Sequence, residues 1–587
     1  MKTKSYYSRI KNSEYLYTFL LVISSLIILI IPILHMNDRT VPYIYNDEFG
    51  YWAVAANFRG YDWSAVYKNI SYYSYGYGIL LTLFLFIFQN TGNAYMASFL
   101  LNAIWLCGSF WCLIYIAGKL KPDVNKNLKC IIALVCTLYI NNVTQSYYTW
   151  PENLLFFLYC VIVCMLYTIL KRPTVFKMIA LGGICTYSYT VHQRTIGIII
   201  AVGITMVIFW ITKKIKFAHL CSFVLVFLIC FAAANGVKGH IIQEVWENSA
   251  STNSNNLEGQ VNKLSSLFSI HGIKQFLLSL SGKLYYIIIS TGFLIVLAIE
   301  RLLKAEIDSL VLCFKNKSLK CIDSMSAFFL LSFAGTIVIN AIFMIEPSGA
   351  SHIVYGRYTE NIIGPFLLIA LLGFFELKDS TLRNTIYFII ILLCGIGVVK
   401  SEAWYYLNGY AAVNDAGIAR FVSPDYIQVW ELIVLAIIFW SILNVLKKLI
   451  AFHKGFYLLT LMFCMSIWIY VGVDSANIFN NYKYKDSPQE INNCVNVIKE
   501  SEARIGIDES KIYALAADSG YVHKYLGNGI QFALPEHEVE YVNLEDLYNI
   551  EDNHYFIVAS NVYENIGLYE KIYSGVLYNI WVPQGMF

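Results

Sequence analysis

Two adjacent carboxylates, Asp47 and Glu48, lie in the aromatic segment 43–52, just after the first long apolar run of the chain. A pair of acids in this position is costly unless it binds a cation, takes up a proton or contacts a substrate. The pair could also be a solvated part of a loop. Its aromatic neighbours, including Tyr51 and Trp52, favour instead a surface at the membrane interface. We therefore take the pair as the first candidate for a functional site.

The other candidates share a position at the mouth of a later apolar run: Glu152, His192, Arg194, His352, Arg357 and Tyr358. Glu152 follows a proline, and it could simply stabilise the positive end of a helix dipole. The two arginines could anchor the chain to lipid phosphates. Basic residues concentrate on the cytoplasmic side of membrane proteins, so an arginine at an external mouth is less expected there. We predict that the arginines belong to a site.

The composition indicates the kind of protein that must position these residues. The chain has 587 residues, of which 58% are hydrophobic and 14% charged, and its mean hydropathy is +0.56. Soluble domains have about 25% charged residues, so we predict a polytopic membrane protein. The net charge of +3 is small, and no basic tail or RNA-binding motif occurs, so no nucleic-acid partner is predicted. The 14 cysteines lack metal-ligand spacing and lie mostly in apolar runs, as buried hydrophobic residues do.

Apolar runs long enough to cross a bilayer as helices occupy residues 15–36, 93–118, 129–146, 153–170, 174–191, 195–212, 217–236, 283–303, 325–345, 361–377, 384–400, 428–446 and 455–473. A further run at 76–88 is shorter. If this run does not cross and the N-terminus is inside, nearly every cluster of Lys and Arg falls on the cytoplasmic side. We therefore predict about 13 membrane-spanning helices and an interfacial or re-entrant helix at 76–88.

The same orientation places the acids and the unusual arginines on the extracytoplasmic face of a cell membrane. An external loop at 37–92 then carries the acid pair, and loops 237–282 and 401–427 are expected to shape a pocket. The polar tail alternates a helical pattern at 487–501 with short apolar strands at 511–516, 554–559 and 575–582. The predicted fold is a polytopic α-helical membrane module, 1–473, followed by an extracytoplasmic α/β domain, 474–587.

Carboxylates and arginines on one water-facing rim suit the transfer of a sugar from a lipid phosphate. A carboxylate can take the proton from an acceptor hydroxyl while that hydroxyl attacks the anomeric carbon. An arginine fork can bind the departing phosphate through two parallel hydrogen bonds. At ~4 Å in a partly shielded site, one such charge pair is worth roughly 4 kcal/mol before desolvation. No nucleotide site is needed, because such a donor is already activated and lipid-linked.

On these residues the chain resembles the GT-C superfamily of polyprenyl-phosphate-sugar-dependent glycosyltransferases. The resemblance is to the branch that includes the protein O-mannosyltransferases and the lipid A aminoarabinose transferases. It rests on the acid pair of the first external loop, the short helix at 76–88 and the later external acid Glu152. The basic turn 192–194, the Gly-Arg-Tyr element 356–358 and the external terminal domain complete it.

The resemblance implies an inverting transfer from a polyprenyl-phosphate-linked sugar. Asp47 would be the base, and Glu48 would position the acceptor or the sugar. Glu152 would support substrate hydroxyls or the base. The arginines Arg194 and Arg357 would hold the phosphate, with Tyr358, His192 and His352 nearby.

The tail lacks the WWD-type motif of the oligosaccharyltransferase branch. This departure argues against transfer of a whole oligosaccharide to asparagine, and it leaves metal dependence open. Asp47 and Glu48 could together hold Mg²⁺ or Mn²⁺; no other cofactor is predicted.

Two other functions compete with a transferase. A flippase or transporter predicts ionisable residues in the middle of the spans and paired repeats, whereas these spans are nearly free of charge. A polysaccharide polymerase or ligase also uses lipid-linked sugars and external arginines, but it needs no acid pair in the first loop. The residue composition is typical of a low-GC bacterium, which predicts undecaprenyl phosphate as carrier and a surface glycan or lipid-linked glycan as acceptor.

Overall fold

The computed structural model describes residues 14–34, 40–42, 45–67, 72–246, 263–345, 353–377, 380–401, 411–422, 427–450, 455–481, 487–515, 521–550 and 554–586. Within these residues the first part of the chain is a bundle of helices, and the C-terminal part is a five-stranded sheet with helices. His352, one of the predicted site residues, lies outside the described residues.

The first half of the chain forms α1 (Glu14–Ile33), α2 (Tyr45–Arg59), α3 (Ser64–Tyr67), α4 (Tyr75–Ile87), α5 (Thr91–Leu120), α6 (Lys126–Thr137), α7 (Ile140–Gln145), α8 (Glu152–Lys171), α9 (Val175–Val191), α10 (Ile196–Ile211) and α11 (Phe217–Trp246). The helix α4 has 13 residues, too few to cross a bilayer, as predicted for the run 76–88. Two glycines let it pack closely. A Cβ atom on Gly78 would lie 2.8 Å from the Val54 side chain of α2, and one on Gly76 would lie 2.5 Å from Thr190 Oγ1 of α9.

The second half forms α12 (Ile270–Thr291), α13 (Leu294–Asn316), α14 (Ser324–Phe343), α15 (Ile363–Phe374), α16 (Thr381–Lys400), α17 (Ala411–Asn414), α18 (Val429–Leu449) and α19 (Gly455–Asn481). The predicted run 283–303 is not one straight helix, because α12 and α13 meet at an angle of 106°. At the bend Gly292 has a φ of 57°. The Gly292 N–H donates to Ile289 O and the Phe293 N–H donates to Ile288 O, at 3.1 Å each. This pattern ends a helix with a left-handed glycine.

Among the described residues, nine helices are long and apolar enough to cross a membrane, and the bent pair α12–α13 raises the number to as many as ten. The chain is therefore a multi-pass membrane protein. Three of the predicted runs hold shorter helices: 129–146 is divided between α6 and α7, 174–191 is α9, and 361–377 contains α15. The predicted total of about 13 spans depends on these three runs. The helix α9 has 17 residues, which is at the lower limit for a span, and α6, α7 and α15 are shorter.

The C-terminal domain consists of α20 (Ser487–Ile505), β1 (Lys511–Leu515), α21 (Tyr521–Ala533), β2 (Val539–Val542), α22 (Leu544–Leu547), β3 (Tyr555–Ser560), β4 (Tyr569–Ser574) and β5 (Tyr578–Pro583). The strand order is β2-β1-β3-β5-β4. Strand β1 pairs in parallel with β2 and β3, while β5 is antiparallel to β3 and β4. The sequence pattern predicts β1, β3 and β5 as short apolar runs. It misses β2 and β4, whose apolar residues are interrupted by Glu540 in β2 and by Glu570 and Lys571 in β4.

This domain contacts the loop that carries the acid pair. The Trp63 indole N–H donates to Pro535 O at 2.9 Å, and the Thr91 hydroxyl donates to Phe532 O at 2.7 Å. The Trp52 and Phe532 rings meet edge to face with their centroids 5.4 Å apart. The C-terminal domain thus packs on α2, α3 and the start of α5.

Candidate active site

Four charged residues from distant parts of the chain meet at the ends of helices. Asp47 lies in the first turn of α2, and Glu152 is the first residue of α8. Arg194 lies in the 3-10 turn Gln193–Thr195 between α9 and α10. Arg357 lies in the turn before α15. Charged side chains are tolerated at the ends of membrane helices far better than at their centres, and helix ends here bring all four together.

These four residues form a chain of ion pairs, here called the acid–arginine network. Arg357 Nη1 donates to Asp47 Oδ2 at 2.5 Å, and Arg357 Nε donates to Glu152 Oε1 at 2.5 Å. The second oxygen of Glu152 accepts from Arg194 Nη2. The side chains of Glu152, Arg194 and Arg357 are 1–3% exposed, whereas that of Asp47 is 25% exposed. Asp47 is thus the accessible end of an otherwise buried network.

Arg194 keeps unused donors in this buried setting. Its Nε and Nη1 atoms are buried and have no hydrogen-bond partner among the described residues. The side-chain nitrogen and oxygen of Asn153, next to Glu152, are also buried without a hydrogen-bond partner among the described residues. The Arg194 guanidinium lies 4.3 Å from the centroid of the Tyr358 ring, which fixes its plane. Buried donors are nearly always paired, so the spare donors of Arg194 are suited to an anionic ligand.

Two aromatic residues that the sequence analysis does not single out hold the network in place. The Arg357 guanidinium lies 3.4 Å from the centroid of the Trp150 ring, a cation–π contact. The Tyr73 hydroxyl donates to Asp47 Oδ1 at 2.8 Å. Burial, and then the charge of Asp47, raises the pKa of Tyr73 well above its usual value, so this hydroxyl keeps its proton. A Cβ atom on Gly50 would lie 2.2 Å from the Tyr73 ring, so the glycine makes the contact possible.

Glu48 is separated from the network, unlike its neighbour in sequence. Its Oε1 atom accepts from Thr149 N at 2.5 Å, from Thr149 Oγ1 at 2.8 Å and from Tyr95 OH at 2.9 Å. The residue is fully buried, and the Trp52 indole N–H also donates to Thr149 Oγ1 at 3.0 Å. Glu48 therefore ties α2 to the turn before α8 and to α5.

The two carboxylates of the acid pair have different hydrogen-bond partners, and a metal ion held jointly by Asp47 and Glu48 stays a prediction. Both oxygens of Asp47 accept hydrogen bonds, from Arg357 and Tyr73, while Glu48 is bonded to Thr149 and Tyr95. Within the described ranges, no group of three or more His, Cys, Asp or Glu side chains could hold a metal ion. Because the positive charge next to Asp47 is already supplied by a guanidinium, we assign no step to a metal.

The histidine and tyrosine candidates lie beside the arginines. The His192 and Tyr358 rings meet edge to face at 5.3 Å, and Tyr358 meets Tyr355 at 4.7 Å. Burial, and then the charges of Arg194 and Arg357, lower the pKa of His192 well below its usual value. His192 is therefore a neutral imidazole at physiological pH.

Comparisons with known proteins add to this geometry. Neither a protein-family model nor a curated protein matches the sequence. The crystal structure of ArnT from Cupriavidus metallidurans bound to undecaprenyl phosphate matches with a TM-score of 0.52 and 10% identity over 97% of this chain and 98% of that chain. The same protein in the apo state matches with a TM-score of 0.50 and 11% identity, covering 97% of each chain.

A third structure is the archaeal oligosaccharyltransferase AglB from Archaeoglobus fulgidus in complex with an inhibitory peptide and a dolichol-phosphate. Its TM-score is 0.46 at 11% identity, over 93% of this chain and 70% of that chain. Of these structures, the two of ArnT have TM-scores of 0.52 and 0.50, and the match covers 98% and 97% of their chains. The predicted fold, a polytopic α-helical membrane module followed by an α/β domain, is confirmed: this chain has the fold of the two ArnT structures.

Proposed function

We propose that the protein is a membrane glycosyltransferase that moves a sugar from a polyprenyl-phosphate-linked donor to an acceptor hydroxyl. The acid–arginine network carries this proposal, since it combines an accessible carboxylate with a buried guanidinium that has spare donors. The fold supports it, because ArnT, which shares the fold, was crystallised with undecaprenyl phosphate. The orientation predicted from the Lys and Arg distribution places the reaction on the extracytoplasmic face.

In the proposed reaction, Asp47 is the base and the two arginines hold the donor phosphate. The acceptor oxygen forms a bond to the anomeric carbon while the bond from that carbon to the phosphate oxygen breaks. The acceptor proton passes to the Asp47 carboxylate, and the lipid phosphate leaves with the electron pair. Attack from the side opposite the phosphate inverts the anomeric centre. Tyr73 and Arg357, each bonded to one Asp47 oxygen, aim the carboxylate.

Charge balance explains why two arginines are needed. Asp47 and Glu152 carry two negative charges, and Arg194 and Arg357 carry two positive charges, so the empty network is neutral. A departing lipid phosphate adds negative charge, which the spare donors of Arg194 would bind. Both oxygens of Glu152 are occupied by arginines, so Glu152 serves to hold the arginines apart and in place rather than as a base.

The acceptor we propose is a hydroxyl of a surface glycan or of a lipid-linked glycan. The test is mass spectrometry of surface glycans from cells with and without the gene. Loss of one sugar in the deletion strain is expected, with recovery by the wild-type gene and by Glu300→Gln, but not by Asp47→Asn. Glu300 is a suitable control because its carboxylate is bonded to Arg383 and Tyr387, neither of which belongs to the network.

Two outcomes would contradict the proposal. If deletion changes no glycan, the transferase function is wrong. If Asp47→Asn restores the sugar as fully as Glu300→Gln does, the assignment of the base is wrong, and a polymerase or ligase that needs no acid pair becomes the better explanation.

A further inference from the structure

The turn that carries Arg357 is held from behind by a second polar cluster that the proposed reaction does not use. Asp415 Oδ1 accepts from the Gly356 N–H at 2.6 Å. The next N–H, that of Arg357 itself, donates to Asn414 O at 2.8 Å. Two successive backbone donors of the turn are therefore bonded to two successive residues, the last residue of α17 and the residue that follows it. Asp415 is fully buried, so this contact is shielded from water.

Lys283 of α12 holds the start of the same turn. Its Nζ donates to Ile353 O at 3.2 Å, and like Asp415 it is fully buried. Burial raises the pKa of Asp415 to about 7, against the opposing effects of the Gly356 hydrogen bond and then of the Lys283 charge. Lys283 and Asp415 thus hold the turn at two points, at Ile353 O and at the Gly356 N–H.

Tyr286, which lies one turn after Lys283 in α12, packs against the same turn. A Cβ atom on Gly356 would lie 1.9 Å from the Tyr286 ring, so the ring and the backbone of the turn are in direct contact. The Tyr286 hydroxyl donates to Glu360 Oε1 at 2.8 Å and accepts from the Gly417 N–H at 3.1 Å. The turn therefore has little room to shift.

The contacts that hold this turn could serve packing alone. The turn carries Arg357, however, and the position of Arg357 argues for a role in the acid–arginine network as well. Arg357 makes two contacts at 2.5 Å, to Asp47 and Glu152, and both depend on where its backbone lies. A misplacement of about 1 Å in a catalytic array can reduce the rate about 100-fold. A fixed backbone at Gly356–Arg357 therefore matters more for the geometry of the acid–arginine network than for the packing of the helix bundle.

We propose that Asp415 is a positioning residue, which together with Lys283 fixes the Arg357 turn for binding of the donor's lipid phosphate. This inference rests on the proposed function, because it takes Arg357 as a phosphate ligand. Asp415 acts through the Gly356 N–H and touches no reacting atom.

The test measures the affinity of purified protein in nanodiscs for undecaprenyl phosphate. Two neutral double variants form a matched pair: Lys283→Met with Asp415→Asn keeps an acceptor oxygen for Gly356, and Lys283→Met with Asp415→Leu removes it. We expect the Asn variant to bind within about threefold of wild type and the Leu variant to bind about 10-fold or more weakly. A control, Glu502→Leu, removes a buried carboxylate that accepts from the Ser510 N–H at 2.9 Å in the C-terminal domain, and it should bind as wild type.

A cycle with Arg357→Gln separates positioning from general damage. If Asp415 acts through Arg357, adding Lys283→Met and Asp415→Leu to Arg357→Gln weakens binding no further than Arg357→Gln alone does, within about twofold. Additive losses would overturn the inference, as would equal affinities of the matched pair. If Arg357→Gln itself binds as wild type, the proposed phosphate site is wrong, which is a different failure. Should the Leu variant not fold, Asp415→Glu displaces the acceptor by one methylene, and unchanged binding there would also overturn the inference.

Discussion

The molecule contains two clusters built from the same kinds of side chain, and they differ in burial. In the acid–arginine network, Glu152 and Arg357 are 1% and 2% exposed. In the other, here called the Glu300 cluster, Arg383 Nε pairs with Glu300 Oε2 at 2.9 Å with exposures of 17% and 36%. Tyr387 OH donates to the same Glu300 oxygen at 2.6 Å, as Tyr73 does to Asp47. Arg383 belongs to the basic segment 378–383, which the distribution of Lys and Arg predicts to face the cytoplasm.

The difference in burial indicates a different role for each cluster. A partly exposed ion pair is worth about 0–1 kcal/mol and costs little to form, which suits an anchor between α13 and α16. A buried network must overcome the desolvation of every charge and is weak evidence of a stabilising role. The network also leaves two Arg194 donors unpaired within the described part of the chain. An anchor has no use for spare donors, whereas a binding site needs them.

The largest difference between the two clusters is expected on neutralising their central carboxylates. Glu152→Gln leaves two buried guanidinium groups without their shared counter-charge, which should lower the free energy of unfolding by about 3–5 kcal/mol. Glu300→Gln should lower it by about 0–1 kcal/mol. Thermal unfolding of the purified variants in detergent measures both. Equal shifts for the two variants would contradict the distinction drawn between the clusters.

Replacing arginine by lysine should also separate the clusters. Arg194→Lys removes the planar fork and its spare donors, so sugar transfer should fall about 100-fold or more. Arg383→Lys should leave transfer within about twofold of wild type. The readout is the amount of the affected sugar on surface glycans of the deletion strain that carries each variant. Full activity of Arg194→Lys would show that a point charge is sufficient there.

The two tyrosines offer a matched pair of hydroxyl deletions. Tyr73→Phe removes a hydrogen bond to the proposed base, worth about 1.5–3 kcal/mol to a charged acceptor, and transfer should fall about 10-fold. Tyr387→Phe removes the equivalent bond to Glu300, and it should lower the unfolding temperature slightly without changing transfer. A loss of transfer in Tyr387→Phe as great as that in Tyr73→Phe would mean that both hydroxyls serve folding alone.

The smallest expected effect concerns pH. His192 is held neutral in the folded protein, whereas an unfolded histidine has a pKa of about 6.5. Above that pH both states are neutral. As the pH falls below it, the unfolded state binds a proton that the folded state does not, so the free energy of unfolding falls by up to about 1.4 kcal/mol per pH unit. Unfolding of His192→Gln should depend less on pH between about 6.5 and 5. A pH dependence of unfolding in His192→Gln as steep as that of the wild type would contradict this prediction.

The sequence was sufficient to find the charged members of the network. Asp47, Glu152, Arg194 and Arg357 each stand at the mouth of an apolar run, where a charge is conspicuous. The distribution of Lys and Arg then placed all four on one face, and the structure brings all four into contact. Rare residue types at defined positions carry this information without any knowledge of packing.

Residues whose role depends on packing could not be found in this way. Tyr73 and Trp150 are two aromatic residues among many in the chain, and Asp415 lies in a loop without a recognisable motif. The bend at Gly292 was missed because one glycine inside an apolar run does not by itself predict a helix end. The sequence also paired Asp47 with Glu48, although successive side chains point about 100° apart on a helix.

The hydrogen bonds from Thr149 and Tyr95 to Glu48 have a consequence for the choice between the two acids. They fix the rotation of α2 about its axis, and with it the direction of the neighbouring Asp47 carboxylate. We therefore expect a loss of Glu48 to turn the proposed base out of line and abolish activity, although the Glu48 side chain is fully buried. A mutational scan that records activity alone would score both acids as essential. A measurement of folding made beside it would distinguish Glu48, which holds α2 in place, from Asp47, the proposed base.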